Sequence, residues 1–181
     1  MKRISIIGLP VAVTTYAKAV EWILDRAQRK DRAYAVEAAN THVAALARSD
    51  QSFGESMQQF DLICPDGMPL VWTLNAKLSA EEKLTDRVYG PTLMLETLKA
   101  TQGKSEFKHF LLGGKQSTLD KLIHHFAEQF ASVQIAGVHS PPFGEWPENE
   151  LETIVEKSRI WSQSHLGRSR LPKTRTLDRA T

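Results

Sequence analysis

The chain has 181 residues, 41% hydrophobic and 24% charged, the balance of a soluble globular domain long enough to bury a substantial core. Its net charge of +2 is uneven: from Ser158 onward six Lys or Arg face one acid, Asp178, so that segment carries +5 and residues 1–157 carry −3. A mildly acidic body argues against nucleic-acid binding as its main work, and no apolar stretch approaches the roughly 20 residues a helix needs to cross a bilayer.

One cysteine, Cys64, excludes an internal disulfide and fits a reducing compartment, so a cytoplasmic location is expected. The opening MKRISIIGLPVAV has the two basic residues and short apolar run of a signal peptide, but Pro10 and the amphipathic segment behind it favour a first strand, Ile4–Gly8. Thr14 or Thr15 can then cap a helix whose apolar positions Ala17, Val20, Ile23, Leu24 and Ala27 recur at helical spacing. Tyr34–Ala38 is predicted as a second strand, Val43–Ala47 as a short helix after Asn40, and a third strand ends at Pro65-Asp66-Gly67. An apolar helix over Met68–Leu74 and a polar connector follow.

Pro91 suits the first turn of a helix running to Lys99, which Gly103 ends. His109–Leu112 is a buried strand closed by Gly113-Gly114, and Ser117 is the expected cap of a helix with Leu119, Leu122, Ile123, Phe126 and Phe130 on one stripe. Val133–Val138 is another strand, followed by the rigid turn Ser140-Pro141-Pro142 and a last helix from Pro147. Strands alternating with helices predict an α/β fold: an open, mostly parallel sheet with flanking helices, Rossmann-like.

Ligands bind such sheets beyond the carboxyl ends of the strands. Asn40, Asp66 with Gly67, Gly113-Gly114 and Ser140-Pro141 all fall there. Asp66 is the sharpest candidate, since a carboxylate at a strand-to-helix junction can serve as a general base; Asp-Gly is also a common turn, and Asp often caps a helix. Gly113 and Gly114 allow a phosphate close to backbone N–H groups, although a tight turn explains them equally. Arg87 could clamp a diphosphate through its planar fork, or be a solvated charge. His124 and His125 diverge on a helix and His42 has no companion at ligand spacing, so no metal and no cofactor are expected. Trp22, Trp72, Trp146 and Trp161 are scattered, as packing residues are.

The succession of Asn40, ICPDGMPLVW (63–72), RVYGP (87–91), FLLGG (110–114) and GVHSPPFG (137–144) resembles the WecG/TagA/CpsF family of bacterial glycosyltransferases, its exopolysaccharide branch in particular, from about Ile4 to Lys157. The resemblance implies an inverting, metal-independent transfer of a hexose or N-acetylhexosamine from a UDP-sugar to a sugar on an undecaprenyl-diphosphate lipid. It implies Asp66 as base, Asn40 as a pocket residue, Arg87 at the diphosphate, and Gly113 and Gly114 beside the nucleotide. The work would be done at the inner face of the cytoplasmic membrane, through peripheral contact, without nucleic acid and with homo-oligomers left open. Two positions depart from the pattern: Ala38 where many relatives carry Thr, and Thr92 where they carry Asp.

A third departure is larger. After Lys157 the family continues with a buried strand and a motif close to VGLGxPKQE, of which this chain has no trace. Residues Gln163–Thr181 can be encoded so that a one-nucleotide shift yields NLILVGLGCPKQERWIAR, the missing motif in its place. The domain reading is therefore an incomplete glycosyltransferase domain over 1–157, lacking the family's C-terminal strand and helices, and a disordered, out-of-frame tail over 158–181. On this reading activity is impaired, and the alternative function is a non-catalytic remnant that binds a UDP-sugar or a partner.

Overall fold

The computed structural model describes residues 1–29 and 31–163. The tail reading rests mostly on residues from Ser164 onward, which lie outside them. Two compact units divide at Phe107/Lys108, and each is described by itself.

The first unit opens with a hairpin. Strands β1 (Arg3–Ile6) and β2 (Leu9–Ala12) pair antiparallel, with Ile6 opposite Leu9, where one strand was expected over Ile4–Gly8. The two-residue turn sets Ile7 at φ 45° and Gly8 at φ 95°. Both values lie in the left-handed region, which suits glycine and is rare for a β-branched side chain. Helix α1 (Tyr16–Gln28) follows, with Thr15 as the cap whose side chain accepts from the Lys18 N–H.

Strand β3 (Val36–Ala39) leads to α2 (Thr41–Ser49) and α3 (Gln51–Met57), and β4 (Leu62–Pro65) lies parallel to β3 with Ala39 opposite Pro65. Helices α4 (Met68–Asn75) and α5 (Gly90–Ala100) complete the unit. Because side chains alternate across a strand, β4 feeds two separate cores. Ile63 joins Leu70, Val71 and Leu74 of α4 and Ala44 of α2, whereas Leu62 and Cys64 join Ala19 of α1 and Leu93 of α5. Both faces of the β3–β4 pair are therefore covered, as parallel strands require. Each fully buried Leu or Ile contributes roughly 1.5–3 kcal/mol.

In the second unit β5 (Lys108–Leu112) and β6 (Gln134–His139) pair parallel, joined by α6 (Gln116–Gln129) and followed by α7 (Glu150–Gln163). Ser117 lies inside α6 and does not cap it; Lys115 holds that position, with no side-chain cap bond. Leu119 and Phe126, from the predicted stripe, are buried. The architecture is the expected α/β one, small open parallel ladders flanked by helices, with an antiparallel hairpin added at the amino end.

Candidate functional site

In the first unit the carboxyl ends of β3 and β4 gather Asn40, Asp66, Gly67 and the segment before α5. Asp66 follows the last residue of β4, and its backbone N–H donates to the Ala39 carbonyl at 2.8 Å, extending the ladder by one step. Its side chain does not cap α4: Gly67 is the N-cap residue there, with no side-chain cap bond. Instead Asp66 Oδ1 accepts the Gly90 N–H at 3.3 Å, and the Val88 N–H donates to the Pro65 carbonyl at 2.7 Å. These two bonds bring the RVYGP segment, which includes Arg87, alongside the end of β4.

Asn40 does cap a helix. Its Oδ1 accepts from the His42 and Val43 N–H groups at 2.9 and 3.1 Å, which leaves its amide nitrogen as the group available to a ligand. A side chain at Gly67 would come within 3.8 Å of the Asn40 Cβ, which puts the two residues in adjacent positions. Arg87 is exposed, and its guanidinium lies 4.8 Å from the Tyr89 ring centroid, a cation–π contact that restricts where the fork can point. The Tyr89 N–H in turn donates to the Tyr16 hydroxyl at 2.9 Å, tying this segment to α1.

One residue of this neighbourhood was not singled out from the sequence. Glu37, on β3, is half-buried, and burial first, then the Asp66 charge, hold its carboxyl above the ordinary range. Its signal was a lone acid within the apolar run YAVEAA, three residues before Asn40. Burial and the Glu37 charge push the Cys64 thiol up to about 12, so it stays protonated and packs as an apolar side chain. Among the described residues no three His, Cys, Asp or Glu side chains lie together so as to hold a metal ion.

In the second unit the corresponding strand ends carry Gly113, Gly114, Ser140 and Pro141. Gly113 and Gly114 adopt φ values of 110° and 73°, which demand glycine. The Gly113 N–H donates to the His139 carbonyl at 3.0 Å, and the Ser140 hydroxyl to the Gly114 carbonyl at 2.7 Å. His139 is held on both ring nitrogens by α7: Glu150 Oε1 lies 2.6 Å from Nε2, and Lys157 Nζ 2.9 Å from Nδ1. Asn40, Asp66, Gly67 and the Arg87 segment thus come together in the first unit, and Gly113, Gly114 and the Ser140 turn in the second.

The family model of the WecG/TagA/CpsF glycosyl transferases matches residues 4–160, nearly the whole of both described units. The chain belongs to the WecG/TagA/CpsF glycosyltransferase family. No curated protein gives a match. For this WecG/TagA/CpsF member the strand-end clusters just described are the natural places to look for sugar-transfer chemistry. Among the described residues no helix is long and apolar enough to cross a membrane.

Proposed function

We propose that the chain is built for an inverting transfer of a hexose or N-acetylhexosamine from a UDP-sugar to a sugar on an undecaprenyl-diphosphate lipid, in cell-surface polysaccharide synthesis. Asp66 is the base. Its carboxylate takes the proton of the acceptor hydroxyl as that oxygen forms a bond to the anomeric carbon; the bond from this carbon to the diphosphate breaks, and UDP leaves. The observation that carries the reading is the state of Asp66. It sits at the end of β4 with one oxygen fixed by the Gly90 N–H at 3.3 Å, and it is not consumed in capping α4.

Arg87 is suited to the leaving diphosphate, whose developing charge a planar guanidinium can stabilise. The amide nitrogen of Asn40 can donate to a sugar or phosphate oxygen. Gly113 and Gly114 offer backbone approach to the nucleotide, and Ser140 and Pro141 hold the turn next to them. A polyprenyl-linked acceptor calls for peripheral contact with the inner face of the cytoplasmic membrane.

The test is transfer of radiolabelled hexose from its UDP conjugate to a lipid-linked acceptor sugar, with the native chain and Asp66→Asn side by side. The native chain should transfer label and the variant should lose at least about a hundredfold, the usual worth of a positioned base. Equal background from both would reject catalysis by this chain and leave a binding remnant as its role.

A further inference from the structure

The opposite end of the β3–β4 pair carries a second, unrelated constellation. Tyr34 stands just before β3 and Asp61 just before β4, while Arg3 opens β1. With Trp22, Arg26, Arg29 and Arg32 these residues line a cavity of about 310 Å³. The strands between are four residues long, so at ~3.3 Å per residue the cavity lies roughly 13 Å or more from the Asp66 end.

The side chains here are held in place. The Trp22 and Tyr34 rings meet edge to face with centroids 6.0 Å apart, and the Arg26 guanidinium lies 5.2 Å from the first centroid and 5.5 Å from the second. Arg32 stacks 4.0 Å from the Tyr34 centroid and grips Asp61 with both arms, at 2.5 and 3.0 Å. Arg26 is further tied to Asp25. The other two arginines are less committed. Arg29 lies 3.3 Å from Asp25 with its side chain 49% exposed, and Arg3 donates to the Asp61 carbonyl with no carboxylate in ion-pair reach among the described residues. Four guanidiniums, Arg3, Arg26, Arg29 and Arg32, thus line the cavity beside a single lining carboxylate, Asp61, with Asp25 pairing Arg26 and Arg29 next to it.

Two fixed guanidinium planes beside two undercommitted ones match a compact anion rich in acceptor oxygens better than a single carboxylate. We infer that this cavity binds a phosphate-bearing anion, a phosphomonoester or a diphosphate, at a site separate from the Asp66 end of the strands. The inference does not rest on the proposed sugar transfer. The ligand could be free in solution or be the headgroup of a lipid.

The experiment uses the full chain at low salt. Sodium diphosphate is titrated calorimetrically, and flotation is measured with phosphatidylcholine vesicles doped with phosphatidic acid. Both are repeated with Arg3→Gln/Arg29→Gln, which spares the stacked Arg26 and Arg32. Saturable binding of diphosphate, weakened about tenfold or more in the variant, supports the site with a soluble ligand. Binding to the vesicles alone, weakened likewise, supports it with a lipid headgroup. No binding to either, or equal binding by native and variant chains, overturns it. The basic segment after Ser158 is common to both proteins and cannot produce the difference. If the double variant fails to fold, Arg29→Glu alone, at an exposed position, gives the same contrast.

Discussion

Gly90 joins the stability of the first unit to the placement of Asp66. A Cβ added at Gly90 would lie 3.2 Å from the Cβ of Ala38, where carbon atoms settle at about 3.5–4.0 Å. Gly90→Ala must therefore push the start of α5 away from β3 by a few tenths of an ångström. The Gly90 N–H already reaches Asp66 Oδ1 at a long 3.3 Å, so the shift takes that bond beyond useful length. Overpacking costs ~1–3 kcal/mol, and the first helical position returns little of the propensity gain of Ala over Gly. A net loss of about 1–2 kcal/mol in urea unfolding at unchanged m is expected. Transfer activity should fall roughly tenfold for each 1.4 kcal/mol by which the held carboxylate is lost to the transition state. Ala38→Gly alone should weaken β3 by ~0.5–1 kcal/mol, yet in the double variant it removes the obstructing methyl. The two changes should then couple by more than about 0.5 kcal/mol in the favourable direction. A neutral Gly90→Ala, or effects that simply add, would refute the contact and with it the account of how Asp66 is held.

Other outcomes follow from charge. Asp61 is held at about 2 against an ordinary 3.8, by Arg32 first and the Ala35 N–H next, so its contribution to stability is complete above about pH 4 and is lost as pH falls toward 2. Asp61→Asn should flatten the melting-temperature profile across that window and lower it at pH 7. Glu37 has the opposite sign: burial raises its pKa, so the fold bears the cost of an ionised group at neutral pH and is relieved of it in acid. Glu37→Gln should raise the melting temperature at pH 7, a gain that disappears below about pH 4. Finally, the gene's nucleotides across codons 150–181 should encode the VGLGxPKQE motif one base out of frame; a shifted frame without it ends the frameshift reading of the tail.

Most helices were legible because their apolar residues repeat at 3.6 and their boundaries carry chemical signs: Thr15, one of the two expected caps, caps α1, and Pro91 lies in the first turn of α5, whereas the capping role of Asn40 was not foreseen. The hairpin was not, because Ile7-Gly8 lacks the Asn-Gly or Asp-Gly signature and puts a β-branched residue in a left-handed turn. Asp66 stood out because Pro-Asp-Gly separates an apolar strand from an apolar helix. Glu37 did not, since one acid in a short strand reads as the solvent-facing member of an alternation, and only the packing around β3 half-buries it. The arginine cavity was invisible for another reason. Its parts come from positions 3, 22–34 and 61, and nothing local relates them before the chain folds.

The clasp around His139 has a chemical consequence of its own. An ammonium has only protons to offer, so Lys157 donates to Nδ1, and Nε2 is the nitrogen left facing Glu150. Both nitrogens are thereby engaged, and the imidazole has neither a lone pair nor a free proton to lend to a reaction. His139 behaves as a rivet between the end of β6 and α7. Any displacement of that helix is transmitted directly to the Ser140 turn and, through the Ser140 hydroxyl, to Gly114.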